Sequence, residues 1–320
     1  MSYIFIIILL VAFQLLYFRI AKRFNIVDLP NKRSSHSKVT LRGGGMIFWV
    51  GILLYFILIR FEYPWFFLGL TLMAAISFLD DLFSVSNKLR LLIHLFSVYL
   101  MFYELELLNY PLWILIVSFI VVIGTINAYN FMDGINGITA AYSIAILILL
   151  AIVNEEFRFI DMDIIYISMI ATTIFSFFNF RKTARCFAGD VGSVSMSFIL
   201  IFLTIKLIID TQNIIYILFF LVYGIDTVWT IVQRLLRKEN IFKAHRSHLY
   251  QYLSNEAGVN KLMVSAAYGL LQFLIGVIVI NIDSLPKEQQ ILFSLGFVIL
   301  LSLIYFFLKK NILKKYKIVE

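Results

Sequence analysis

Eleven stretches of this chain are apolar over close to the length needed to cross a bilayer, and that pattern leaves few folds open. A helix needs roughly 20 largely apolar residues to traverse about 30 Å of hydrocarbon. The stretches run approximately over residues 3–20, 45–59, 66–79, 91–108, 112–128, 138–153, 164–180, 193–209, 214–232, 263–281 and 289–308. With 62% of 320 residues hydrophobic and only 14% charged, a water-soluble globular domain is excluded. An aromatic content of 17% likewise excludes a disordered chain. The expected fold is therefore all-α: a polytopic membrane helical bundle of about eleven transmembrane helices, one domain over residues 1–320. Met1-Ser2-Tyr3 supplies no positive n-region and no small-residue cleavage site follows, so the first stretch is expected to stay as a helix.

Charge placement gives an expected orientation. Of the 27 basic residues, all but Arg60, Arg158, Lys206 and Lys287 fall on one side of the proposed spans. The positive-inside rule then places the N-terminus outside and the C-terminus in the cytoplasm. The net charge of +8 is read as loops facing an anionic leaflet, with no nucleic acid as partner. A single cysteine, Cys186, excludes an internal disulfide framework and any multi-thiolate metal site, and reads as a packing residue.

Five polar clusters fall on the cytoplasmic side. The first is Arg33-Ser34-Ser35-His36-Ser37 followed by Arg42-Gly43-Gly44-Gly45. Glycines at a helix entrance leave N–H groups able to hold an anion, although a basic turn lying against headgroups reads equally well. The second, Asp80-Asp81, sets two carboxylates side by side at the membrane border, which calls for a metal or a cationic partner such as Lys88 or Arg90. The third carries Asn127, Asn130 and Asp133 at intervals of three, then Gly134 and Asn136. Such side chains lie roughly along one side of a helix and need a shared partner, whether a ligand or a neighbouring helix.

The fourth cluster, Gly189-Asp190-Val191-Gly192-Ser193, follows Asn179 and Arg185. Small residues around an acid bring backbone amides and a carboxylate to one point, which suits a magnesium-bound diphosphate, and also suits a plain turn into a helix. The fifth, His245-Arg246-Ser247-His248, has no third histidine or thiol nearby and so disfavours zinc. Its groups suit phosphate oxygens, or a basic loop on the leaflet. Asp226, inside the ninth stretch, is costly enough there to suggest function.

Taken in order, Arg42-Gly43-Gly44-Gly45, Asp80-Asp81, Asn127-x-x-Asn130-x-x-Asp133-Gly134, Gly189-Asp190-x-Gly192-Ser193 and His245-Arg246-x-His248 resemble the motifs of the polyprenyl-phosphate N-acetylhexosamine-1-phosphate transferases. The resemblance spans about residues 28–253. It implies a multi-pass enzyme of the bacterial inner membrane with a cytoplasmic active site. The implied reaction moves a sugar 1-phosphate from a UDP-N-acetylhexosamine to undecaprenyl phosphate, releases UMP, and begins a surface polysaccharide such as O-antigen, capsule or teichoic acid. It further implies Mg2+, or Mn2+ in its place, with Asp190 and Asp81 as metal residues. Asp80, Asp81, Asp133, Asp190, His245, Arg246 and His248 are the implied catalytic set. Arg42, Gly44, Asn127, Asn130, Asn136, Asn179 and Arg185 are the implied substrate-binding set, and a homodimer is a further possibility.

Two departures from the family pattern touch donor and acceptor choice: Asn136 stands where relatives commonly carry a second Asp, and residues 181–184 read Arg-Lys-Thr-Ala where many have a Pro-Ala step. The competing reading is a transporter or flippase for an anionic lipid-linked substrate. That reading wants charges near mid-bilayer, whereas these acids cluster at one interface.

Overall fold

The computed structural model describes residues 2–30, 35, 37–240 and 245–318. Lys32, Arg33, Ser34, His36, Lys243 and Ala244 lie outside the described residues. All eleven apolar stretches are helical. The chain forms α1 (Tyr3–Arg23), a two-stranded antiparallel ribbon of β1 (Val27–Asp28) and β2 (Thr40–Leu41), α2 (Met46–Leu58), α3 (Pro64–Phe83), α4 (Asn87–Glu104), α5 (Leu112–Met132) and α6 (Ile138–Phe157). It continues through α7 (Met162–Asn179), α8 (Gly189–Thr211), a 3-10 segment Ile214–Phe220 leading into α9 (Leu221–Leu236), the single turn α10 (Leu249–Gln251), α11 (Lys261–Ile282) and α12 (Lys287–Tyr316).

Nine of these helices among the described residues are long and apolar enough to cross a membrane, the 3-10 segment and α9 counting together, so the chain is a polytopic helical membrane protein. Two of the about eleven expected stretches fall outside that set. Helix α2 has only 13 residues, and α4 carries Lys88, Arg90, His94 and Glu104. Boundaries also move where polar residues complete a turn. Helix α3 runs on through Asp80 and Asp81, and α8 starts early enough to include Gly189 and Asp190.

Helix α8 is the centre of the bundle and packs against α3, α5, α2 and α6. Helix α12 is peripheral, and its Leu292, Leu303 and Phe307 are exposed by more than 60%. Such a surface is at home only in hydrocarbon, where backbone groups are satisfied within each helix. Without a hydrophobic drive between helices in lipid, close backbone approach matters, and small residues supply it. Gly269 of α11 lies on Ala141 of α6, and Gly45, just before α2, lies on Gly192 of α8.

Polar residues gather at the two ends of the bundle. One end pairs Arg60 Nε with Asp161 at 2.7 Å and holds Glu104 under the start of α3, its carboxylate accepting the Trp65 N–H at 2.6 Å. The other end collects the last turns of α3 and α5, the first turn of α8 and the loop before α2.

Candidate active site

The site is assembled by short-range backbone pairing. The segment 41–45 runs alongside 186–188: Phe187 donates its N–H to Leu41 O at 2.8 Å, Gly44 to Phe187 O at 2.8 Å and Gly45 to Ala188 O at 3.0 Å. A Cβ on Gly44 would stand 2.5 Å from Cys186 Sγ. The glycines therefore admit a second strand of chain. The expectation that Gly44 holds a substrate anion through a free N–H is corrected, because both amide groups are spent inside the fold. Cys186 is fully buried, and burial pushes its thiol up to about 12, in keeping with a packing role.

This pairing delivers Arg42 to the paired acids. Arg42 Nε lies 2.7 Å from Asp81 Oδ1, and its Nη2 lies 3.6 Å from Asp190 Oδ1. Asp81 also accepts the backbone N–H groups of Asp190 at 3.0 Å and Val191 at 3.2 Å, so the carboxylate at the end of α3 caps the start of α8. Gly189 makes room for it: its φ is +73°, and a Cβ there would stand 2.5 Å from Asp81 Oδ2. Asp80 pairs with Arg90 and accepts the Val85 N–H at 2.7 Å, while Arg90 Nη1 reaches to 3.7 Å from Asp190 Oδ2. Each of the adjacent acids thus has its own guanidinium, and Asp190 stands between the two cations at longer range. Asp81 as a metal ligand is corrected on this geometry, since a fully buried carboxylate already accepts three donors.

A cavity of about 380 Å³ opens beside Asp190, lined by Arg42, Asn130, Asp133, Asn136 and Asn179, with Asp28 and Gln251 on its wall. Asn130 donates to Ser193 Oγ at 2.9 Å, tying α5 to α8. Asp133 accepts from Thr139 Oγ1 at 2.5 Å. Burial pushes the Asp133 carboxyl up to about 6 against that hydrogen bond, and the charge of Asp190 adds to the push. Asn127 lies apart, its amide donated to Ile123 O at 2.8 Å within its own helix. A three-residue step turns about 300° on a helix of 3.6 residues per turn, so three such positions fan out by about 120° and the first leaves the shared face.

Asn136 and Asn179 hold loops at the cavity wall. Asn136 donates to Arg181 O at 2.7 Å and Lys182 O at 3.3 Å. Asn179 accepts the Gly137 N–H at 2.7 Å and donates to Cys186 O at 2.9 Å. Arg185 is corrected as a substrate residue: it does not line the cavity, and its guanidinium lies 5.2 Å from the Phe18 ring centroid and 5.7 Å from that of Phe178.

The His-Arg-x-His turn sits outside the cavity lining. His248 is 1% exposed, with Nδ1 3.3 Å from Asp226 Oδ1 and Nε2 3.2 Å from His245 Nε2. Arg246 Nη2 lies 3.2 Å from Glu256 Oε1. Direct phosphate contact by all three is therefore corrected for this conformation. What the turn gives the cavity is Gln251, and Tyr250, whose hydroxyl donates to Phe131 O at 2.9 Å and packs on Gly134. Arg90, one of the two cationic partners expected for the paired acids, is the one that pairs with Asp80, whereas Gln251 escaped the residue-by-residue reading and nothing local marked it.

A polytopic helical bundle with an acid, arginine and amide cavity at one set of helix ends defines a membrane protein built to hold a polar, charged substrate beside the bilayer. A sequence profile described as glycosyl transferase family 4 matches residues 63–208. The chain is 30% identical to the phospho-N-acetylmuramoyl-pentapeptide-transferase of Thermotoga neapolitana, over 59% of this chain and 68% of that protein. It is 26% identical to the probable undecaprenyl-phosphate N-acetylglucosaminyl 1-phosphate transferase of Bacillus subtilis, over 83% of this chain and 80% of that protein. It is 25% identical to the undecaprenyl-phosphate alpha-N-acetylglucosaminyl 1-phosphate transferase of Yersinia pestis, over 92% and 88% respectively. The chain belongs to glycosyl transferase family 4.

Proposed function

We propose that this protein transfers an N-acetylhexosamine 1-phosphate from a UDP-sugar to undecaprenyl phosphate, releasing UMP, at the cytoplasmic face of a bacterial inner membrane. The observation that carries this reading is the convergence of Arg42, Asp80, Asp81, Asn130, Asp133 and Asp190, from well-separated stretches of sequence, around one polar cavity at the helix ends. The printed activities of the Bacillus and Yersinia relatives support the lipid acceptor and the sugar class.

The donor set suits magnesium. Among the described residues no three His, Cys, Asp or Glu side chains form a ready cation cage. Magnesium, however, is usually held by one or two carboxylates together with substrate phosphates and water. Asp190 is the carboxylate in position to do this, facing the cavity with its side chain 22% exposed. When bound, the ion would neutralise the diphosphate and the departing UMP. Arg42 and Arg90 bracket the same point and offer charge-assisted hydrogen bonds to phosphate oxygens. The acceptor needs no strong base, since a phosphate monoester has a second pKa of about 6 and is largely dianionic at neutral pH. Asn130 and Asp133 form the wall proposed to face the nucleotide.

Membranes containing the protein, supplied with radiolabelled UDP-N-acetylhexosamines and undecaprenyl phosphate, should pass label into an organic-extractable lipid with stoichiometric UMP. Chelation of divalent ions should stop this and magnesium restore it. Absence of transfer from every UDP-N-acetylhexosamine with folded protein present would reject the proposal.

A further inference from the structure

Asp226 is 2% exposed on α9, borders no part of the cavity, and accepts from five groups. Oδ1 faces His248 Nδ1 at 3.3 Å, the Leu249 N–H at 2.9 Å and Thr230 Oγ1 at 3.4 Å. Oδ2 takes the Tyr250 N–H at 3.3 Å and the Tyr268 hydroxyl at 2.7 Å. A carboxylate buried at this depth is retained against a desolvation cost of several kcal/mol per ion, which its five donors offset. Its grip falls on the backbone of the turn that presents Tyr250 and Gln251 to the cavity wall.

The hydrogen-bond chain leading away from Asp226 has a fixed direction. Arg234 Nη1 lies 2.8 Å from His245 Nδ1, and a guanidinium can only donate. His245 Nδ1 must accept, so the His245 proton is on Nε2, which faces His248 Nε2 at 3.2 Å. His248 Nε2 must then accept as well, and its proton is left on Nδ1, pointing at Asp226. This direction assigns one tautomer to each ring. A second anchor holds the same turn from behind: Lys309 of α12 is 2% exposed and donates to Ser247 O at 3.1 Å and Gln233 Oε1 at 2.5 Å.

We propose that Asp226 is a positioning residue: through the His248 Nδ1 proton and the Leu249 and Tyr250 amides it sets the His245–His248 pair in one tautomeric register and holds Tyr250 and Gln251 against the Asp133 wall. The link to catalysis rests on the transferase reading above; the tautomers do not. The test uses full-length protein in lipid nanodiscs with 15N-labelled histidine, whose four residues are assigned by single substitutions. At pH 7.5 wild type should show His248 protonated at Nδ1 and bare at Nε2, and His245 the reverse. Asp226→Asn should move the His248 signals toward the other tautomer and raise KM for the UDP-sugar about tenfold more than it lowers kcat. A merely structural loss would reduce active protein and leave KM in place. His248 doubly protonated, or protonated only at Nε2, in wild type overturns the proposal even if the variant fails to fold. Unmoved ring signals and KM in folded variant overturn it equally. If no sugar nucleotide is turned over by wild type, the transferase reading fails while the ring signals still decide the network.

Discussion

Asp81 Oδ1 accepts the backbone N–H of Asp190 at 3.0 Å, so the carboxylate that closes α3 also opens α8. The two acids that resemble a matched metal pair thereby have different jobs. Asp190 turns its side chain to the cavity, whereas Asp81 turns inward to a helix terminus and Arg42.

Asp190→Asn and Asp81→Asn should therefore fail in different ways. The first is expected to lower label transfer by about 10²–10³-fold, the size of loss when one transition-state contact is removed, while melting in detergent stays within a degree or two of wild type. The second should lose transfer and stability together, since breaking a buried ion pair costs about 3–5 kcal/mol. Equal melting temperatures for the two variants would refute this division.

Asp133 yields a pH-dependent prediction. Its folded carboxyl is raised to about 6 from a reference near 3.8, so the fold disfavours the ionised form. The penalty is absent below about pH 4, grows as pH rises through 6 and is constant above that. Asp133→Asn should accordingly raise the melting temperature of substrate-free protein at pH 7.5, with the gain shrinking as pH falls toward 4.5. A gain that grows on acidification would show the opposite sign of shift.

The Gly45 and Gly192 contact should tolerate no side chain. A Cβ on Gly192 would stand 2.7 Å from Gly45 Cα and 2.8 Å from Ala188 Cβ, and neither a backbone atom nor a Cβ can swing aside. Gly192→Val should cost more than the 1–3 kcal/mol usual for overpacking and sharply reduce the monodisperse fraction on gel filtration. Gly224→Ala, where nothing lies within 4 Å, is the matched control and should behave as wild type.

Cys186, the single cysteine, reports on the same junction. With its thiol buried and pushed up to about 12, the reactive thiolate is scarce at pH 7.5. Maleimide labelling of the folded protein should be at least about tenfold slower than after denaturation, and Gly44→Ala, which wedges against Cys186 Sγ, should accelerate it.

The helices were legible because each apolar stretch is long and membrane spans obey a simple length rule. Their ends were less so: Asp80 to Phe83 and Gly189 to Asp190 complete helical turns only because partners from other helices satisfy them. The residues that gather at the cavity could be named from the motifs, but their division of labour could not. Whether Asp81 faces a ligand or an amide, whether Asn179 binds substrate or Cys186 O, and where Arg185 points are all set by contacts across more distant sequence or by local chain direction. Asp226 was marked by its cost inside a helix, yet four of its five partners lie 22 to 42 positions away.

The amide of Asn136 clasps the loop at Arg181 and Lys182 by main-chain oxygens alone. A grip on carbonyls ignores side-chain identity, so this stretch of rim can exchange residues freely while the helix termini beneath it stay fixed. Side chains at positions 181 and 182 can therefore change without disturbing the Asn136 hydrogen bonds that close this part of the cavity wall.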